Sequence, residues 1–467
     1  MLLYIDPGTG SMLVTIIIGL FGTGLYFLRN MLIKVRYMGK KEKISNEKLP
    51  VVIFSDSKVY WNVFEPICDE LEKRGQQAVY MTMSEDDPAL EKKYEHVETK
   101  FIGNGNTAYA SLNSLNASVV LSSTPSLDVF QWKRSKNADF YIHIIHSPGD
   151  ITMYRMFGID YYDAFLLSGE FQGEQVRKLE ELRNLPEREI VYSGITYMDT
   201  LRNKYEEAKK KGSKKDGNKT ILLAPSWGPN GILKKYGAGF IEKLIATGYN
   251  LVIRPHPQSY VSEAEYMEEL KNKFPETDKL KWNRDTDNFK VLLNSDIMIS
   301  EFSGVIFDYA MVFNRPLIYT TPDFDKAIYD CAWIDDELWT YDILPEIGIE
   351  LSEDKFDDIG DIIKSCIDSD KMAEGRERAR REAWMNSGHA AETSVDYILE
   401  KLEELKAKEL EELKKADTAK NKSDDSDDED NKDDTSSESE QNESEDSEDS
   451  KDNEEINEVS ETEKEDE

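Results

Sequence analysis

Short runs rich in β-branched and aromatic residues alternate with helical stretches along most of this chain, and that rhythm restricts the fold more than any other feature. VVIFSD (51–56), QAVYMTM (77–83), SVVLSS (118–123), FYIHIIH (140–146), DAFLLSG (163–169) and EIVYSG (189–194) read as strands, with amphipathic stretches such as 62–74 between them. Strands separated by helices need crossover connections, which lead to a parallel, doubly wound α/β sheet. A Lys-rich segment, 204–219, interrupts the rhythm. Its glycines and charges mark a domain boundary, read as a solvated linker or as a contact for anionic lipid heads. The alternation then restarts with strands at 220–226, 250–257, 295–300 and 315–320, and helices around 240–247, 301–314 and 377–401. Two such halves facing a cleft put ligands at the carboxyl ends of their strands.

The ends of the chain follow other rules. Residues 7–28 hold no charged side chain. As a helix they would span about 33 Å, against roughly 30 Å for a bilayer core. Arg29, Lys34, Arg36, Lys40, Lys41 and Lys43 follow, opposed only by Glu42, and no Lys or Arg precedes them. The positive-inside rule predicts a single-pass anchor in the cell membrane with everything after it on the cytoplasmic side. A buried helix is the other reading, and a cleavable signal would carry its basic residues ahead of the apolar run. At the far end, residues 417–467 hold 25 acids and 5 lysines, −20 of the chain's net −35. Such a tail buries too little apolar surface to offset its chain entropy and is expected to be disordered, a solvating brush with no identified partner. The acidic balance argues against nucleic-acid binding. Cys68, Cys331 and Cys366 are too few and too far apart for a disulfide scaffold, and no zinc spacing or Walker A motif is present. The expected organisation is an anchor (1–29), a basic linker (30–49), an N-terminal Rossmann-like domain (50–203), a linker (204–219), a C-terminal Rossmann-like domain (220–402), and a charged helix running into the tail (403–467).

Three places bring polar residues to a strand end: HSPGD (146–150), RPHP (254–257) and SEFSG (300–304). A helix starting after a strand offers free backbone N–H groups and a positive dipole end, which favour phosphate. Ser303 and Gly304 suit that position, Ser303 as a hydroxyl donor and Gly304 as a place for close approach. An ordinary N-cap serine is the alternative. Arg254 and His256, two residues apart in an extended segment, share a face and suit an anion beside a proton-transfer centre. A structural turn is the plainer reading of that loop. His146, at its strand exit, is the better base candidate. His143, inside the strand, reads as a hydrogen-bonded core residue.

Together these segments resemble the CDP-glycerol glycerophosphotransferase family, the primases and polymerases of wall teichoic acids, over roughly residues 140–399. The resemblance rests on IIHSPGD (144–150), SGITYMDTL (193–201), LLAPSW (222–227), RPHP (254–257), SDIMISEFSGVIFDYA (295–310) with RPLIYTTPDFD (315–325), and SGHAAETSVDYIL (387–399). It implies a GT-B fold of two Rossmann-like domains, with no obligatory metal and no cofactor. It also implies transfer of a polyol phosphate, glycerol or ribitol phosphate, from a CDP-activated donor to a hydroxyl of a polyprenyl-linked glycopolymer acceptor. Phosphoryl transfer is mostly positioning and charge stabilisation. On this reading His146 and His256 are the catalytic candidates, with His146 as general base. Arg254, Ser300, Ser303, Gly304 and Asp308 belong to the donor diphosphate and nucleotide site, Asp308 either orienting the site or serving its helix. The chain departs from the family pattern at Gly228-Pro229 after Trp227, at Glu301 where Asp is usual, at Gly304 where a second Ser is usual, and at GITYMD, which lacks an Arg. Two other readings stay open: a GT-B glycosyltransferase with another nucleotide-sugar donor, and a catalytically degenerate membrane-tethered scaffold.

Overall fold

The structure is a computed structural model that describes residues 48–212, 217–285, 287–301, 303–320 and 325–424. The predicted anchor, most of the basic linker and the acidic tail past 424 lie outside the described residues. Among the described residues no helix is long and apolar enough to cross a membrane. The chain divides into two compact units, one through Ala407 that holds both sheets and one from Lys408 onward.

The first sheet contains β1 (Leu49–Ser55), β2 (Ala78–Thr82), β3 (Val97–Phe101), β4 (Asn116–Ser122), β5 (Asn137–Ile144), β6 (Ala164–Leu167) and β7 (Glu189–Tyr192). Its order is β3-β2-β1-β4-β5-β6-β7, all parallel. The second contains β8 (Thr220–Ala224), β9 (Asn250–Ile253), β10 (Leu280–Trp282), β11 (Ile297–Glu301), β12 (Leu317–Thr320) and β13 (Gly348–Glu350), in the order β10-β9-β8-β11-β12-β13. Both repeat the doubly wound pattern in which the strand order reverses beside the first strand. Central strands such as β1, β4 and β11 are buried on both faces, which is why they read as continuous apolar runs rather than alternating ones.

Several boundaries differ from the sequence reading. The segment expected as a linker from 204 begins inside the helix Thr196–Lys211, which ends at Gly212 with φ +70°. Lysines favour helix and suit its C-terminal turn, so their charge did not signal a break. Glu301 closes β11 instead of opening a helix. The expected helix at 377–401 is two, Asp370–Ala383 and Ala390–Asp424, parted by a turn with Asn386 and Gly388 in the left-handed region. The second of these returns to the first sheet. Val395, Ile398 and Leu402 recur at helical spacing and are buried with Val51, Ile53 and Phe64. Glu189 of β7 accepts hydrogen bonds from Tyr397 Oη (2.7 Å) and Lys401 Nζ (2.8 Å). Residues 390–402, grouped by sequence with the C-terminal domain, thus cover the N-terminal one.

Candidate active site

His146 lies two residues past β5, in the loop that carries Gly149 and Asp150. Gly304 opens the helix after β11. The two meet at one cavity of 190 Å³, lined by His146, Ser147 and Tyr154 from the N-terminal half and by Ser303, Gly304 and Thr340 from the C-terminal half. Asp150 fixes this meeting. It is buried, and its carboxylate accepts from the backbone N–H groups of Trp339 and Thr340 (2.9 Å each) and from the Thr340 hydroxyl. Gln175 donates to the same carboxylate. Nearby, Arg183 bridges Asp160 and the fully buried Asp330, which also accepts from Phe157 N. The loop 150–160 is therefore docked on residues of the opposite half by ionic and main-chain bonds.

Ser303 occupies the N-cap position with extended backbone (φ −146°, ψ 145°), yet its side chain makes no cap bond. Its hydroxyl is not spent on the helix, and the residue lines the cavity. At Gly304 a Cβ would meet only Ser147 Oγ at 3.6 Å, ordinary van der Waals contact. The protein itself does not need glycine there, so Gly304→Ala should fold with a melting temperature within about 2 °C of the parent. If donor phosphate approaches this backbone, the same variant should raise the KM for donor several-fold, and an unchanged KM would show that no ligand comes close.

The Tyr154 hydroxyl stands between His143 Nε2 (3.2 Å) and His146 Nδ1 (3.3 Å). A phenol has one proton, so it can donate to one imidazole and must accept from the other. For His146 to keep its Nε2 lone pair as a base, Nδ1–H donates to Tyr154 and Tyr154 donates to His143. Burial lowers His146 to about 4, and lowers His143 to about 3 with help from the His146 charge. Both imidazoles are therefore neutral near pH 7. Tyr60 packs edge-on against His146 at 4.8 Å, and Asp56, its carboxyl raised by burial, acts on Tyr60 and Tyr154. One Asp56 oxygen is buried without a partner. Tyr60, Tyr154 and Thr340 were not found from sequence. They come from separate segments, Thr340 from the helix Trp339–Ile347, and carry no spacing relative to His146 that would point to them.

Other predicted site residues lie elsewhere. Ser300 is fully buried, donates to Ala224 O at 2.7 Å, which ties β11 to β8, and is not among the residues lining the cavity. Asp308 is buried, accepts from Tyr197 Oη at 2.6 Å, and is raised to about 6 by burial; it is not among the residues lining the cavity. Arg254 and His256 are also absent from that lining. Arg254 is half-buried, donates to Asn283 Oδ1, and faces Asp285 and Asp287. His256 is exposed, and its Nδ1 accepts from Gln258 N. Register aligns Ile253 with Leu223 and Leu223 with Ile299, so the RPHP loop leaves the same sheet edge as Ser303, two strands away. That is roughly 10 Å at ordinary strand spacing. Glu301 has a different task. Its buried carboxylate accepts from Ser226 N (2.7 Å) and Ile232 N, so it holds the loop after β8 and the first turn of the following helix. Among the described residues no group of three or more His, Cys, Asp or Glu is arranged to hold a metal ion.

Two doubly wound parallel sheets with a cavity lined from the carboxyl ends of both give a GT-B-like architecture. A family model described as CDP-Glycerol:Poly(glycerophosphate) glycerophosphotransferase matches residues 158–400, just over half of the chain. The chain belongs to that family and is a glycerophosphotransferase-like enzyme. Among solved structures, the Wall Teichoic Acid Polymerase TagF superposes with a TM-score of 0.51 at 15% identity, covering 83% of this chain and 98% of that one. A TagF histidine-to-asparagine variant soaked with CDPG gives 0.51 at 16% identity with the same coverage. UDP-GlcNAc 2-epimerase from Methanocaldococcus jannaschii, in complex with UDP-GlcNAc and UDP, gives 0.50 at 13% identity, covering 76% of this chain and 99% of that one. At these identities the likeness is one of fold. No curated relative matches the chain in sequence.

Proposed function

We infer that this enzyme moves a polyol phosphate from a CDP-activated donor to a hydroxyl of a lipid-linked glycopolymer precursor, at the cytoplasmic face of a membrane to which residues 7–28 anchor it. The observation that carries the reading is the shared cavity, with His146 on one side and the uncommitted Ser303 hydroxyl and Gly304 backbone on the other. His146 takes the proton from the acceptor hydroxyl as its oxygen attacks the donor's phosphorus. The bond from that phosphorus to the CMP oxygen breaks, and CMP leaves with the electron pair. Ser303 and the helix start stabilise the phosphoryl oxygens. The cavity is smaller than the roughly 300–1,000 Å³ that encloses a whole ligand of nucleotide size. The cytidine end therefore extends along the sheet edge towards Arg254 and His256. His256 thus acts on donor binding in this reading, more than on proton transfer. The basic flank after residue 28 supports the anchor, and the donor named by the family supports CDP-glycerol.

Calorimetric titration of the full chain with CDP-glycerol, CDP-ribitol, UDP-glucose and UDP-GlcNAc tests the donor. A CDP-polyol should bind at least about tenfold more tightly than either UDP-sugar, a difference of ~1.4 kcal/mol. Equal or reversed preference would favour a sugar-nucleotide enzyme.

The pH profile follows from the buried imidazole. A base must be neutral to accept a proton, and His146 with its pKa lowered to about 4 stays neutral above that value. The acid limb of kcat/KM should therefore lie near pH 4, with a flat region from about pH 5 to 8. A limb near 6.5, the ordinary imidazole value, would contradict a buried His146 base.

A further inference from the structure

A second cleft, of 750 Å³, lies between the helices Thr196–Lys211 and Asp370–Ala383 and the segment 311–315 that follows β11. It is lined by five cations, Arg202, Lys209, Arg315, Arg380 and Arg381, and by one acid, Glu206. In a chain of net −35 such a concentration of positive charge is unexpected. Among the described residues most buried or half-buried cations pair with a carboxylate, but of the cleft's five only Arg380 does, with Glu377. Arg202 donates to Ser387 Oγ at 2.6 Å and lies over the Trp384 ring at 5.4 Å. Lys209 lies over Tyr205. Arg315 is held by the carbonyls of Leu292 and Ser295, and Arg380 Nε by that of Met311. These bonds fix Arg202 and Arg315 through a hydroxyl and carbonyls that leave their charge uncompensated, while Arg380 shares its charge with Glu377. Arg381 makes no ion pair or hydrogen bond among the described residues and is exposed. Beside the cleft, the buried Arg376 holds the lining residue Asn314 through Nε (2.9 Å), while its Nη1 has no partner. Guanidinium groups held in place by neutral oxygens and left without carboxylates, as Arg202 and Arg315 are among the described residues, suit phosphate oxygens.

We propose that this cleft is a second binding site, separate from the reaction centre, for the phosphodiester groups of a polyol-phosphate chain. The segment 304–312, which starts at the reaction cavity and ends at the cleft, is roughly 13 Å long at ~1.5 Å per residue. A growing acceptor held by its older phosphates in the cleft would present its terminal hydroxyl at His146. This deepens the transferase reading and rests on it for the acceptor's identity, but the binding itself is measured without donor or turnover.

The probe is a synthetic glycerol phosphate hexamer, titrated calorimetrically into the full chain, with maltohexaose as the neutral control and phosphatidylglycerol vesicles as a lipid arm. Lys209 and Arg381 are exposed, so the double variant K209A/R381A should fold normally. It should bind the hexamer roughly tenfold or more weakly, with a shallower dependence on salt. Glu206→Gln, which removes the cleft's acid, should tighten binding. The KM for CDP-glycerol and the CMP released with a short monomeric acceptor should be unchanged in both. Unaltered hexamer affinity in K209A/R381A, equal binding of maltohexaose, or loss of vesicle binding alone would each overturn the proposal. CMP release that persists in any of these cases leaves the transferase reading standing, while hexamer binding without CMP release would separate the two the other way.

Discussion

His146→Ala should abolish nearly all transfer, with kcat falling roughly 10²–10⁴-fold, the usual contribution of a positioned general base. Donor affinity should change little, because the donor-side groups, Ser303 and the Gly304 backbone, belong to the other half of the chain. The fold should survive: among the described residues the His146 side chain has one hydrogen bond, to Tyr154, and ring contacts with Tyr60 and Tyr154. His146→Gln should not rescue activity, since an amide cannot accept the proton. Single-turnover rates with CDP-glycerol, beside donor titrations, separate the two effects. A variant retaining more than about a tenth of wild-type kcat would remove His146 from the base role.

Asp150→Ala should be the most damaging single change to stability near the site. The carboxylate is buried and satisfies two main-chain N–H groups and the Thr340 hydroxyl across the junction of the two halves. Removing it strands these donors, at about 1–3 kcal/mol for each buried group left unpaired, and a total of roughly 3–5 kcal/mol is expected. For a chain of this size that is a fall in melting temperature on the order of 10 °C. Transfer should fall as well, because Gly149 and Thr340 both line the cavity and lose their shared tether. Asp150→Asn keeps one acceptor oxygen and should lose about half as much. Differential scanning calorimetry of both variants checks this; a shift below about 2 °C for the alanine variant would show that the loop is held by other contacts.

The double rhythm of the sequence carried the two parallel sheets, because strands buried on both faces leave continuous apolar runs that survive without any tertiary information. His146, Ser303 and Gly304 were legible for a related reason: strand ends and helix starts have local signatures, and these three stand at such positions. Arg254 and His256 were legible as a pair but not as a place. Their spacing says which face they share and nothing about the two strands that separate them from Ser303. The bond from Ser300 to Ala224 was not legible, because a hydroxyl at a strand end looks the same in sequence whether it faces a ligand or a neighbouring carbonyl. Tyr60 and Tyr154 reach His146 through contacts within the N-terminal half that no local pattern announces, and Asp150 meets Thr340 only when the halves dock, 190 residues apart in sequence. The return of the helix at 390–402 to the first sheet was likewise hidden, since an apolar stripe at helical spacing does not name the surface it will cover.

The most direct test is CMP release by the full-length chain supplied with CDP-glycerol and an extracted membrane lipid fraction, run in parallel with His146→Ala and Ser303→Ala. Release that depends on both donor and lipid, and that collapses in both variants, is the expected result. Absence of CMP from the unaltered chain across CDP-glycerol and CDP-ribitol, or undiminished release by both variants, would contradict it.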